Sequence, residues 1–491
     1  MHNNKQRKIE QWLALFVVII GTFMSILDSS IVNIAIPKMM AVFGVSLDEV
    51  KWILTSYTLA LGSIIPLTGF LADIFGNKRI YIFALAMFTV GSLLCGFAWS
   101  NGSMIVFRVI QAIGGGMIMP IGMSIIYQTF PQEERGLALG FWGVASMAAP
   151  TLGPTLGGYI IEHLDWRLIF NINVPIGAVG VVLAWILLKD TPMKKIDNFD
   201  FIGFLSSTLG IVSILYVLGE GSSIDWGDPK NPILITFGVL SLIFFVVNEL
   251  THENPLLDLR VLKIPEFSLS QGISCVLTFA LMGGTYVLPL FLQNVRGYTP
   301  METGLILFPS AIAVGFMMPV SGALFDRIGA RPVVLPGMIL LGIASYMLVG
   351  SINMDASANS ITWLLTIRGL VLGLAMMPIS TAGMNAVPTE MVTRASALSN
   401  TIRQIAGALS ITIMTTLIQN ELNFGYAYKA EQITPFNSLV SMDNLSSIMG
   451  IVQRDAYLEA MRYAIEVSIL AVVISGAMIF LMKDRKVEKA T

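Results

Sequence analysis

Asp28, in the stretch LDSSIVNIAIP, is a carboxyl group set deep inside a long apolar run. A charge in such a run is costly and marks function. A carboxyl group removed from water is also the kind of group that exchanges protons near neutral pH. Three cations occupy similar settings: Arg108, Arg368 and Arg403. The amides Asn33, Gln111, Asn171, Asn173, Gln293 and Gln404 add neutral polar groups, candidates for the lining of a substrate cavity together with Arg368, Arg403. The three histidines, His2, His163 and His252, fall outside the apolar runs, so a proton relay within them must use a carboxylate. Cys95 and Cys275 lie in separate runs, and neither a disulfide nor a metal site is expected. No Gly-Lys pair occurs, which excludes a P-loop ATPase. No nucleophile–base constellation is present, so no catalytic residues are assigned and an enzyme is not expected.

The elements that must position these groups follow from composition. Of 491 residues, 55% are hydrophobic and 12% charged, against about 25% charged in a soluble domain. Mean hydropathy is +0.76. A net charge of −2 gives no reason to expect a nucleic-acid partner. The chain divides into fourteen apolar stretches of roughly 20 residues, each long enough to span a bilayer, from 13–36 to 463–482. The first is too long for a signal-peptide core and is read as a retained span. Lys and Arg are richer in the loops that share a side with the termini, including Lys78, Arg79, Arg135, Lys194, Lys195 and Arg327. Both termini are therefore expected in the cytoplasm.

Depth joins two of the charges. Asp28 lies eight residues before Ile36, about 12 Å below the outer end of span 1, and Arg108 six residues after Gly102, about 9 Å below the same end of span 4. A contact between them is predicted if the two spans are neighbours.

The chain also repeats itself. Gly69–Arg79, GFLADIFGNKR, returns as Gly322–Arg331, GALFDRIGAR, with Gly69, Asp73 and Gly76 matched by Gly322, Asp326 and Gly329. Arg108 in RVIQAIGGGMIMP is matched by Arg368 in RGLVLGLAMMP. Two related halves follow: a six-span bundle over 1–197, an inserted span pair with its connector over 198–266, and a second six-span bundle over 267–491. A long outer loop is expected at 421–462, with aromatic Tyr426, Tyr428 and Phe436 and an amphipathic stretch around Leu445. Span 5, GFWGVASMAAPTLGPTLGGYI, sets Ala145, Ala149, Gly153 and Gly157 on one face, with Pro150 and Pro154 beside it. Such a face admits a second helix closely and suits an interface at which the halves rock.

These motifs together resemble the major facilitator superfamily, and within it the fourteen-span drug:proton antiporters of the EmrB/QacA type. Gly69, Asp73, Gly76 and Arg79 match the inner-loop motif, with Ile74 in place of the usual Arg; the second copy carries Asp326 and Arg327. Arg108, Gln111 and Gly114 match the span-4 motif linked to proton coupling. Ala149, Gly153, Pro154, Gly157 and Gly158 match the span-5 antiporter motif, with Ala149 replacing its first Gly. The stretches around Asp28 and around Asn171 and Asn173 resemble the signatures of spans 1 and 6.

The resemblance implies an all-α integral membrane protein with the major facilitator fold, two six-helix bundles plus an inserted pair. It implies a proton-coupled multidrug efflux transporter of the cell (inner) membrane, working by alternating access, with Asp28 and Arg108 in proton coupling. The partners implied are small lipophilic substrates and membrane lipid, with a periplasmic adaptor protein where the host has an outer membrane. A monomer needing no cofactor, driven by the proton gradient, is expected. The alternatives are an exporter of one metabolite or lipid-like acid, an uptake symporter, and a sensor that transports nothing. With Asp28 almost alone against three arginines, neutral, zwitterionic or weakly acidic substrates are expected over quaternary cations.

Overall fold

Long apolar runs become helices in a bilayer because every backbone N–H and C=O must be satisfied within the segment. The computed structural model describes residues 2–191, 193, 199–220, 224–431 and 445–482. Among them, fourteen helices are long and apolar enough to cross a membrane. The first group is α1 (His2–Phe43), α2 (Leu47–Phe75), α3 (Asn77–Gly96), α4 (Asn101–Thr129), α5 (Arg135–His163), α6 (Leu168–Asn171) and α7 (Asn173–Leu187). The inserted pair is α8 (Phe201–Leu218) and α9 (Lys230–Thr251). The last group is α10 (Pro265–Thr285), α11 (Val287–Leu290), α12 (Pro300–Ile328), α13 (Arg331–Gly350), α14 (Ala358–Asn385), α15 (Val392–Glu431) and α16 (Leu445–Ile479). We call the face on which α1 begins and α16 ends the inner face.

Local signals set the helix ends. Ser46 and Glu49 form a reciprocal capping box at the start of α2, and Thr299 and Glu302 do the same for α12. Gly76 ends α2 and opens α3 at φ +83°, and Gly329 follows α12 at φ +85°. Only glycine adopts that region without strain, which explains why the repeated motif keeps a Gly three residues after its Asp. Two spans are not continuous. Span 6 breaks at Ile172 between α6 and α7, and span 9 continues from α10 through α11 into a π-turn, Phe291–Val295.

Helices α1–α7 pack together, as do α10–α16, and the two bundles meet along α5 with α12 and along α2 with α15. The inserted pair packs on itself and lies mainly against α2, with a lesser contact to α15. The expected boundary at 197/198 lies outside the described residues.

The expected outer loop at 421–462 is largely helix. At about 60 Å, α15 is roughly twice as long as the hydrocarbon core is thick, so its end projects beyond the bilayer. No Pro interrupts it before Glu431, and it packs on the start of α16 through Gly425 against Ala456 and a Lys429–Glu459 ion pair of 2.9 Å. Phe436 lies outside the described residues, as does the side chain of Leu445.

The polar bonds between bundles concentrate on the inner side. Asp326 accepts from the backbone N–H of Gly136 and Leu137, both at 3.0 Å, at the N-terminus of α5. Asp73 pairs with Arg394 of α15 at 2.7 Å. Ser124 bonds Thr393 at 2.6 Å, and Arg135 donates to Asn385 at 3.2 Å. The motif glycines permit this approach. A Cβ on Gly322 would overlap the Gly136 carbonyl, and one on Gly69 would sit 3.1 Å from Arg394 Cα. Arg79 and Arg327 remain exposed.

Asp326→Asn should loosen this closure, since it removes the charge facing the positive end of α5. With the native cysteines replaced and a reporter cysteine at buried Ser124, labelling by a maleimide from the inner side should rise about fivefold, equivalent to about 1 kcal/mol. Unchanged labelling would show that Asp326 does not hold the inner side shut.

Candidate functional site

Asp28 is fully buried on α1. Its Oδ2 accepts from Arg108 Nη1 of α4 at 2.5 Å, and its Oδ1 accepts from Gln111 Nε2 at 2.9 Å and Asn173 Nδ2 at 3.0 Å. Three elements, α1, α4 and α7, therefore meet at one carboxylate. Arg108 and Gln111 are three apart on α4, which puts them on one face. Asn173 reaches in because span 6 is broken: as the first residue of α7 it sits at a helix start inside the bundle. Close packing brings α3 to the same place. Gly91 lies so near α4 that a Cβ would come within 2.5 Å of Gln111 Cα, and Ser92 beside it accepts from Gln111 Nε2 at 2.6 Å.

The second layer holds the cation. The Arg108 guanidinium lies 3.9 Å from the centre of the Tyr57 ring, which offers it a negative π-face, and also bonds Gln111 Oε1 at 2.5 Å. Arg108 Nε, Tyr57 Oη and Asn173 Oδ1 find no hydrogen-bond partner among the described residues, although all three are buried. The network therefore satisfies the carboxylate fully and the surrounding groups only in part. Such a site can exchange partners at lower cost than a saturated one.

The other polar candidates lie elsewhere. Asn171 rests against Gly96 of α3, where its Oδ1 finds no partner. Asn33 is exposed and donates to Ser29 O in its own helix at 3.2 Å. Gln293, in the π-turn, and Arg403 are exposed, and Gln404 is half-buried. Arg368 holds the position in the second bundle that Arg108 holds in the first, but no carboxylate meets it among the described residues. Its guanidinium fills the space left by Gly284 and donates to Ala280 O at 3.1 Å and Ser345 Oγ at 3.3 Å. The pseudo-symmetric position thus holds its guanidinium on a carbonyl and a hydroxyl.

The small-residue face of α5 meets α1, within the same bundle, rather than the opposite bundle. A Cβ on Gly153 would reach 2.5 Å from Ser30 Cβ, one on Gly157 would sit 3.3 Å from Ile31, and Ser30 donates to Pro150 O at 3.0 Å. Gly158 faces open space, and the side chain of Pro154 lies outside the described ones. The contact of α5 with the second bundle uses earlier residues, Gly136, Gly140 and Gly143, against Gly322, Pro319 and Met318. Physically, Gly153 and Gly157 keep the helix bearing Asp28 pressed against α5. Sequence reasoning did not identify Tyr57 and Ser92 as site residues, because neither departs from ordinary usage in a span.

The family model described as Major Facilitator Superfamily matches residues 18–411. The chain belongs to the major facilitator superfamily. It is 38% identical over 433 residues to the uncharacterized MFS-type transporter YhcA of Bacillus subtilis, covering 88% of this chain and 81% of that protein. It is 32% identical over 442 residues to the multidrug export protein EmrB of Escherichia coli, covering 89% and 86%. The crystal structure of the human organic anion transporter MFSD10 shares the fold at TM-score 0.65 and 12% identity, over 96% of this chain and 99% of that one. The superfamily assignment makes this protein a multi-pass membrane transporter, with multidrug-efflux proteins among its relatives.

Within this superfamily fold, Gly157→Leu should push α1 off α5 at a cost of about 1–3 kcal/mol. The expected result is a folded, inserted transporter of reduced thermal stability with little transport. Wild-type transport would show that the α1–α5 approach is not required.

Proposed function

We propose that this transporter exports lipophilic compounds from the cytoplasm in exchange for protons, by alternating access between its two bundles, with both termini cytoplasmic. The Asp28–Arg108 pair carries the reading. In this cycle the Asp28–Arg108 pair opens and the coupling proton passes through the Asp28 carboxyl group. Arg108 is not then stranded, because Gln111 Oε1 and the Tyr57 face remain beside it. That matters, since a buried charge left without its partner costs about 3–5 kcal/mol. Substrate arrival, or the rocking of α1 with α5, supplies the separation. The proton gradient is the energy source, and no cofactor is needed.

Two observations support lipophilic cargo: the multidrug-export names among the relatives, and a groove of 580 Å³ between α5 and α12. Apolar side chains of both bundles, including Phe141, Leu152, Phe308 and Phe316, line that groove. One feature favours a narrower cargo, a lipid-like acid. Arg403 is exposed at mid-depth in α15, and no ion pair is found for it among the described residues. An exposed arginine at that depth faces a water-filled space rather than lipid.

In proteoliposomes, Asp28→Asn, which mimics the protonated acid, should abolish uphill export while preserving substrate binding and downhill exchange. Normal uphill export by this variant would remove Asp28 as the essential proton carrier. Arg403→Gln should raise the apparent KM for a lipophilic acid about tenfold, with little effect on a neutral compound, the loss of one charge-assisted bond worth about 1.5 kcal/mol. An equal change for both compounds would contradict acid recognition by Arg403.

A further inference from the structure

The bundles meet along two seams, α2 with α15 and α5 with α12. The inserted pair covers the first of them, for α8 packs on both α2 and α15. Near the inner end, Phe199 meets Phe70 of α2 edge-on, with ring centres 5.3 Å apart. Toward the outer side, a Cβ on Gly62 of α2 would come within 2.8 Å of Leu215 and 3.1 Å of Ile211, both of them buried. Tyr216 lies against Trp52 of α2 with ring centres 5.8 Å apart, and Thr412 of α15 donates to Leu218 O at 2.9 Å. At 18 residues α8 is about 27 Å long, close to the thickness of the hydrocarbon core, and these contacts tie it down at both ends. Its companion α9 turns Ile233, Leu240, Phe244 and Val247 outward, an apolar face suited to lipid.

Among the described residues the second seam has no such cover. There the 580 Å³ groove is lined only by apolar residues of the two bundles, and Phe141, Ile312 and Phe316 stay exposed. Along α12 the lining runs from Phe308 to Val320, about 18 Å, and Val320 stands about 12 Å above the inner end of that helix at Ile328. The groove therefore lies at the depth of the hydrocarbon core, continuous with the interface between the bundles and bordered by acyl chains. It also touches the helix that supports the Asp28 site: Leu152 lines the groove, and the next residue of α5, Gly153, packs on Ser30 of α1.

We propose that the inserted pair shuts the α2–α15 seam to lipid, so that lipophilic cargo dissolved in the bilayer enters the bundle interface through the α5–α12 groove. The route rests on the export reading above and names the side from which its cargo arrives. A compound already in the hydrocarbon passes into an apolar recess without first crossing water, whereas a polar compound finds no hydrogen-bond partner in that lining. One seam is walled and the other open, so the cargo path is one-sided although the bundles are related by an internal repeat. The extra helix pair thus acts as a wall that selects the entrance.

The test uses the full chain in proteoliposomes and trifluoromethyl phenyl diazirine, a neutral photoreactive probe that dissolves in the bilayer, with labelled side chains identified by mass spectrometry. Phe141 and Phe316 should be labelled, as should Ile233 and Phe244 of α9, while Ile211 and Leu215 stay unlabelled. The cargo is the best exported of a panel of neutral and weakly acidic lipophilic drugs. At saturation it should lower labelling of Phe141 and Phe316 several-fold and leave α9 unchanged. Ala311→Trp, which fills the groove, should lower the initial export rate about tenfold, whereas Ala311→Ser should not. Gly62→Leu, which lifts α8 from α2, should open Ile211 and Leu215 to the probe and, combined with Ala311→Trp, restore part of the lost export. Should that variant fail to insert, Thr412→Val, which removes the bond to Leu218 O, takes its place. Groove labelling that cargo does not lower would mean a resident lipid only and would overturn the route, as would full export by Ala311→Trp. Labelling of Ile211 and Leu215 in the unaltered protein, or no recovery of export in the double variant, would overturn the seal. Failure of the unaltered protein to export any compound of the panel would instead contradict the export reading, and the route with it.

Discussion

In an apolar bilayer a buried charge persists only with a partner, and the arrangement of this protein follows from how each charge meets that demand. Asp28 meets it with a guanidinium and two amides drawn from α4 and α7. To assemble those donors, span 6 must break at Ile172, α3 must run close to α4 at Gly91, and α5 must press α1 inward through Gly153 and Gly157. Gly91, Gly153 and Gly157 thus serve the close approach of helices around one carboxylate. At Arg368, where no carboxylate is found among the described residues, the cation is held by a carbonyl and a hydroxyl.

The same demand shapes the inner face differently. Asp326 is held by backbone N–H groups at a helix start and Asp73 by a side-chain cation, so two copies of one motif close the inner side by unequal means. The copies share geometry, a Gly at φ above +80° and a Gly where helices cross, rather than identical partners. The buried Asp28–Arg108 pair lies in the first bundle, while the second carries Arg403, an exposed cation.

Much of this was legible in the residues. Rise per residue alone placed Asp28 and Arg108 at one depth, and the contact is present. Equal spacing of Gly, Asp and Gly in two loops revealed the repeat, because the backbone of a tight turn restricts its residue types. The small-residue face of α5 was visible, but its partner was not: spacing says that a helix approaches, not which one. The break in span 6 was also hidden, since Asn-Ile-Asn can continue a helix unless a buried carboxylate draws one amide inward. The 421–462 segment read as a loop because aromatic and polar residues interrupt its apolar pattern, although no Pro interrupts α15.

The account depends on Asp28 releasing or binding a proton as its bond to Arg108 is made or broken. Proton exchange on substrate binding measures this directly, with a pH indicator and the purified transporter in weakly buffered detergent near pH 7. The account predicts close to one proton exchanged per substrate bound by the unaltered protein and none by Asp28→Asn at matched occupancy. Equal exchange by both proteins, or substrate binding to the unaltered protein with no proton moved, would contradict it.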